Sequence, residues 1–197
     1  MKKLILSVTI ILIASSLLLA EGYKVGDKAT DFKLQNIDGK FVSLSDYKDA
    51  KGFIVVFTCN GCPYAKAYQE RIIELDKKYK SLGYPVIAIN PNNTEVKPDD
   101  DLAAMKSRAE LKGYTFPYLK DSDYKVYKEY GATRTPHIYV LTKEKGELLV
   151  SYIGAIDDNY QDASAVNESY LANAVDALLV NGKPDPSFTK AIGCGIK

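Results

Sequence analysis

Apolar runs and apolar stripes alternate along most of this chain. Phe53-Ile54-Val55-Val56-Phe57 and Val86-Ile87-Ala88-Ile89 are unbroken apolar runs, the pattern of strands covered on both faces. Between them Ala65, Tyr68, Ile72, Leu75 and Tyr79 recur at three- and four-residue steps. That spacing predicts one apolar helix face, ending near Gly83. Asn90-Pro91-Asn92-Asn93 breaks the second strand, and Asp99, Asp100 and Asp101 suit the start of a helix carrying Leu102, Met105 and Leu111. Residues 124–130 read as a short helix closed by Gly131. Ile138-Tyr139-Val140-Leu141 and Leu148-Leu149-Val150-Ser151-Tyr152 read as strands joined by the turn Lys143-Glu144-Lys145-Gly146. An earlier hairpin is expected where residues 32–34 and 41–44 flank Asp38-Gly39, and a last amphipathic helix over 170–179. The order predicts an α/β architecture with a central mixed β-sheet flanked by helices.

The N-terminus departs from this pattern. Met1-Lys2-Lys3 is a short basic head, followed by an apolar run to Ala20. It reads as an export signal over residues 1–20, with one folded domain over residues 22–197. An uncleaved membrane anchor is the alternative. Either way the domain is expected outside the cytoplasm, periplasmic or secreted, where disulfides persist. Without Lys2 and Lys3 the basic residues fall from 26 to 24 against 25 acids. No basic stripe points to nucleic acid. A monomer without a cofactor is expected.

The candidate chemistry lies directly after the first apolar run. Cys59-Asn60-Gly61-Cys62-Pro63 places two thiols three positions apart between a strand and a helix. A thiol at a helix N-terminus is favoured as the thiolate by unpaired N–H groups and the helix dipole. On this reading Cys59 sits at the exposed helix start and Cys62 lies one turn deeper. Half a zinc site is the other common meaning of CxxC. Here no second CxxC follows, only Cys194 and the single His137. Thr135-Pro136-His137 opens a later strand, where proline removes no ladder bond. If the cysteine pair faces it, the Thr135–Pro136 bond is expected to be cis, offering the Thr135 backbone to a substrate strand. Cys194, between Gly193 and Gly195, is expected in a mobile tail as a modulating or spare thiol. The acidic cluster Asp157, Asp158, Asn159 and Asp162 lacks the spacing of a calcium loop.

Four stretches carry a resemblance: residues 57–64, 131–137, 154–159 and 193–197. Through them the chain resembles the thioredoxin superfamily, in its extracytoplasmic branch related to the alkyl hydroperoxide reductase and thiol-specific antioxidant family. The resemblance spans most of residues 22–197. It implies a thioredoxin-like fold and exchange of disulfides with protein thiols and an unidentified redox partner. It also implies that Cys59 attacks, Cys62 resolves and Pro136 is the cis-proline. Thr135, Asn60 and Gly61 are expected to meet substrate, with His137 and Cys194 as candidate modulators. The chain departs from the thioredoxin pattern at Thr58, where tryptophan is usual, and in the 53–57 run, which lacks the usual buried acid. A general base for Cys62 is therefore not identified. Two other activities compete. Thr58 ahead of Cys62, with Arg134, fits part of a peroxidase pattern, but that pattern's proline would fall at Val55 and leave Cys59 without a place. Cys59, Cys62, Cys194 and His137 could instead bind zinc or copper(I).

Overall fold

A computed structural model of the chain describes residues 22–197, so the proposed export signal lies outside the described residues. Among the described residues ten strands and four α-helices follow in chain order. The strands are β1 (Lys28–Ala29), β2 (Lys33–Asn36), β3 (Phe41–Ser43), β4 (Gly52–Phe57), β5 (Val86–Asn90), β6 (Tyr118–Lys120), β7 (Arg134–Thr135), β8 (His137–Glu144), β9 (Glu147–Gly154) and β10 (Cys194–Gly195). The helices are α1 (Pro63–Tyr79), α2 (Leu102–Lys112), α3 (Val126–Tyr130) and α4 (Tyr170–Leu179). Eight strands form one mixed sheet in the order β1-β9-β8-β4-β5-β6-β2-β3, and β7 and β10 form a separate two-stranded ladder.

The apolar run of β4 sits at the sheet's centre because both of its faces are covered. Ile54 and Val56 pack with Tyr68 and Ile72 of α1 and with Leu171 and Val175 of α4. Phe53, Val55 and Phe57 pack on the other face with Val126 and Tyr130 of α3 and with Tyr139. β4 runs parallel to β5 and antiparallel to β8, with Phe57 opposite His137. A slip of one residue would exchange the two cores, so burial fixes this register. The register brings the end of β4 and the start of β8 to one edge of the sheet.

Two expectations change. Leu111 is 78% exposed, so α2 buries Met105 and Ala109 instead. Tyr124 has a φ of 57° and lies outside α3. The Asp121 carboxylate accepts the N–H groups of Lys125 and Tyr127 and sets that helix start later. Among the described residues no helix is long and apolar enough to cross a membrane.

These contrasts give a stability prediction. Leu171 is fully buried between α4 and the sheet. Leu171→Ala should lose about 2–5 kcal/mol. Leu111→Ala should stay within about 0.5 kcal/mol of wild type. Urea unfolding should show the difference as a lower midpoint for Leu171→Ala alone. Equal midpoints for the two variants would contradict the packing.

Candidate active site

The chain leaves β4 at Phe57, and Thr58 N–H still donates to the Ile89 carbonyl at 2.8 Å. Five residues after Thr58, α1 begins at Pro63, where the fixed φ of proline suits the first helical position. Cys62, not Cys59, is therefore the N-cap residue, in extended conformation. Cys59 lies in the turn before it. Both cysteines are only 4% exposed. The expected arrangement, with Cys59 at an exposed helix start, is corrected: Pro63 sets the helix start, and Cys62 takes the helix N-terminus.

Thr135 faces both sulfurs. Its Oγ1 is 3.1 Å from Cys59 Sγ, and its carbonyl oxygen is 3.1 Å from Cys62 Sγ, which donates to it when protonated. The Thr135–Pro136 bond is cis, as the sequence leads one to expect. Cys194 joins the group. It packs against Cys59, Cys62 and Ala65, and it pairs in register with Thr135 across β10 and β7.

The two thiols are driven apart electrostatically. Cys62 is lowered, first by the Cys59 S–H donating to it, then by the Cys194 thiol and the N–H groups of Ala65 and Cys194. The Ala65 contact falls short of a full side-chain cap. Burial and the Thr135 carbonyl oppose a thiolate on Cys62, but the donors outweigh them. Cys59 is raised, first by giving its proton to Cys62, then by burial and by the nearby Asp100 carboxylate. The Thr135 hydroxyl and the Cys62 N–H only partly offset this. Within the reduced pair the thiolate form is thus favoured at Cys62 and disfavoured at Cys59.

Asp100 is the feature the sequence concealed. It looked like one of three acids opening a helix. In fact Asp101 caps α2 by accepting the Ala104 N–H at 2.7 Å, while Asp100 is fully buried. Asp100 accepts from Asn60 N–H at 2.7 Å, Asn90 Nδ2 at 2.9 Å and Asn92 Nδ2 at 2.8 Å. Tyr118 Oη donates to Asn60 Oδ1 at 3.1 Å, and Lys120 Nζ donates to the Asn92 carbonyl. The loop ahead of α2 thus brings a buried acid to the Cys59 side of the site, held by Asn60, Asn90 and Asn92. Only the Asn90-Pro91-Asn92-Asn93 cluster hinted at such a network.

Other expected residues are placed differently. Asn60 is buried, with its amide spent on Asp99 and Tyr118, whereas Gly61 is exposed and has open space around it. His137 is buried against the Tyr139 ring, with a centroid separation of 5.0 Å, and its Nδ1 accepts the Thr133 N–H. Burial and then the Arg134 charge lower its pKa to about 4. Arg134 donates to the Gly193 carbonyl at 2.9 Å, so it serves β10. That contact gives the peroxidase reading no support. Among the described residues no group of three or more His, Cys, Asp or Glu is arranged to hold a metal ion. Asp157 is taken by Arg71 at 2.6 Å and by Tyr68 at 2.8 Å, and Asp158 and Asp162 accept backbone N–H groups of their own loop. The acidic cluster is structural. Nor is the Cys194 segment a loose tail, since β10 pairing and four further hydrogen bonds tie it down.

Comparison with known proteins places the fold in a family. The model of the AhpC/TSA family matches residues 25–156. The chain belongs to that family. It is 28% identical over 134 residues to the thiol-disulfide oxidoreductase ResA of Bacillus thuringiensis (strain Al Hakam), covering 68% of this chain and 72% of that protein. An uncharacterized conserved protein from Geobacillus kaustophilus superposes with a TM-score of 0.81 at 35% identity, covering 88% of this chain and 92% of its own. A thiol:disulfide interchange protein of the thioredoxin family from Chlorobium tepidum TLS shares the fold, with a TM-score of 0.53 at 20% identity over 67% and 87% of the two chains. The fold of this AhpC/TSA member is thus thioredoxin-like.

Two predictions follow from the electrostatics. Thiolate ultraviolet absorbance, followed against pH, should show a step below the ordinary thiol range. Cys62→Ser should abolish that step. Cys59→Ser should keep it but move it upward, because a donor is lost. A step that survives in Cys62→Ser would return the thiolate to Cys59. His137 gives a stability prediction with a definite sign. Its folded pKa of about 4 lies below the ordinary 6.5, so within that window the unfolded chain binds a proton the folded chain does not. Stability from this group is present above pH 6.5 and is lost as pH falls toward 4. His137→Gln should flatten this part of the urea-stability profile, and an unchanged slope would refute the assignment.

Proposed function

We propose that this AhpC/TSA-family protein is a thiol-disulfide oxidoreductase acting on protein substrates outside the cytoplasm. The observation that carries the reading is the cysteine pair held against one residue, with Cys59 and Cys62 each 3.1 Å from an oxygen of Thr135. The 28% identity to a thiol-disulfide oxidoreductase supports it independently. The basic and apolar N-terminal residues support export, and residues 22–197 form the working domain.

The chemistry needs no cofactor. The Cys62 thiolate attacks one sulfur of a substrate disulfide and expels the other as a thiolate. The resulting mixed disulfide is resolved by attack of Cys59 on Cys62 Sγ, which releases the second substrate thiol. The substrate gains two electrons and the Cys59–Cys62 pair gives them up. An external dithiol partner returns the pair to its reduced form. Thr135 orients the sulfurs, and Pro136 fixes the chain on which Thr135 sits. Asp100 positions the turn by holding Asn60.

The test is reduction of insulin disulfides by the protein with dithiothreitol as terminal reductant. Wild type should accelerate it, and Cys59→Ser and Cys62→Ser should each fall to the uncatalysed rate. Peroxide consumption measured in parallel should stay at background. A wild type that consumes peroxide but does not reduce insulin would sink the proposal.

A further inference from the structure

Thr135 belongs to a ladder whose other strand is the chain's own. β10 pairs antiparallel with β7, Cys194 opposite Thr135 and Gly195 opposite Arg134. The approach is close. A Cβ on Gly193 would lie 2.2 Å from the Thr135 carbonyl oxygen and 3.1 Å from Pro136 N, so only glycine fits there. Either side of the ladder is pinned. Arg134 holds the Gly193 carbonyl, Ile196 N–H donates to the Thr133 carbonyl at 3.2 Å, and Lys197 N–H donates to Asn92 Oδ1 at 2.9 Å. Cys194 is thereby packed against Cys59 and Cys62, and its thiol and N–H contribute to lowering the Cys62 thiol.

We propose that residues 193–197 are a tethered substrate: β10 occupies the backbone edge on which an external substrate strand pairs, and Cys194 is a third exchanging thiol whose partner is Cys62. This deepens the exchange reading and rests on it. After Cys62 attacks an external disulfide, the Cys194 thiolate attacks Cys62 Sγ. The substrate thiolate leaves and a Cys62–Cys194 disulfide forms. Cys59 then attacks Cys62 Sγ, forming Cys59–Cys62 and releasing the Cys194 thiolate. Both later steps are exchanges that conserve electrons. Burial, and next its contact with Cys62, push the Cys194 thiol up to about 11 in the reduced protein. The Cys62 part of that effect disappears once Cys62 is in a disulfide, while the part due to burial stays.

The test oxidises variants of the full chain with glutathione disulfide and maps the peptides by mass. Cys59→Ser should yield an internal Cys62–Cys194 disulfide, and Cys59→Ser/Cys194→Ser should stop at a Cys62–glutathione adduct. In the Cys59→Ser background, Gly193→Ala should lower the internal yield severalfold by forcing β10 off Thr135. Gly195→Ala should not change it, since a Cβ there meets nothing within 4 Å. Circular dichroism checks that each variant is folded. A Cys59→Ser protein that accumulates Cys62–glutathione beside a free Cys194 would overturn the proposal. Insulin reduction by wild type reports separately on the exchange reading, so either can fail alone.

Discussion

Thr135 is the residue on which the site depends. Its hydroxyl meets Cys59, its carbonyl meets Cys62 and its backbone pairs with Cys194. Three sulfurs from two distant parts of the chain are thus referred to a single residue. The sheet makes this possible. Phe57 and His137 are opposite one another in the central antiparallel pair, so the turn after β4 and the start of β8 share an edge. That register is held by two apolar layers that would have to exchange places for it to slip. The packing of residues far from the sulfurs therefore sets the distances between them.

A second constraint is charge. A buried thiol pair shares its protons, and small differences in donors decide which sulfur is ionised. Here the helix begins one residue after Cys62, and a buried acid lies on the Cys59 side. Both push in the same direction. The Asn60–Asp100–Asn90–Asn92 network is fully internal, which suits a turn that must hold two sulfurs in place while bonds between them form and break.

The sequence revealed the strands and helices whose burial is simple. β4 and β5 read as continuous apolar runs because both their faces are covered, and α1 and α4 as stripes because one face is. What it concealed has a different physical basis. β6 is three residues long and includes a buried lysine, so it has no apolar signature. β7 and β10 are two residues each and exist only through contact with one another. Glycines flanking Cys194 suggested mobility, whereas Gly193 is there to let two backbones touch. The CxxC spacing pointed to the two sulfurs that meet Thr135 but not to their electrostatics, because the helix start depends on Pro63 and the acid beside Cys59 comes from a loop about 40 residues away. Resemblance to a family pointed to Pro136, yet it could not show that Asn60 turns inward.

The central claim is that Cys59 and Cys62 form one redox couple within the chain. Equilibrating the wild-type protein with mixtures of reduced and oxidised glutathione, then blocking free thiols and weighing the protein, tests it directly. The account predicts a single two-electron transition, in which the protein loses two thiols and gains no glutathione mass. Stepwise addition of glutathione to Cys59 and Cys62, with no internal disulfide at any ratio, would contradict it.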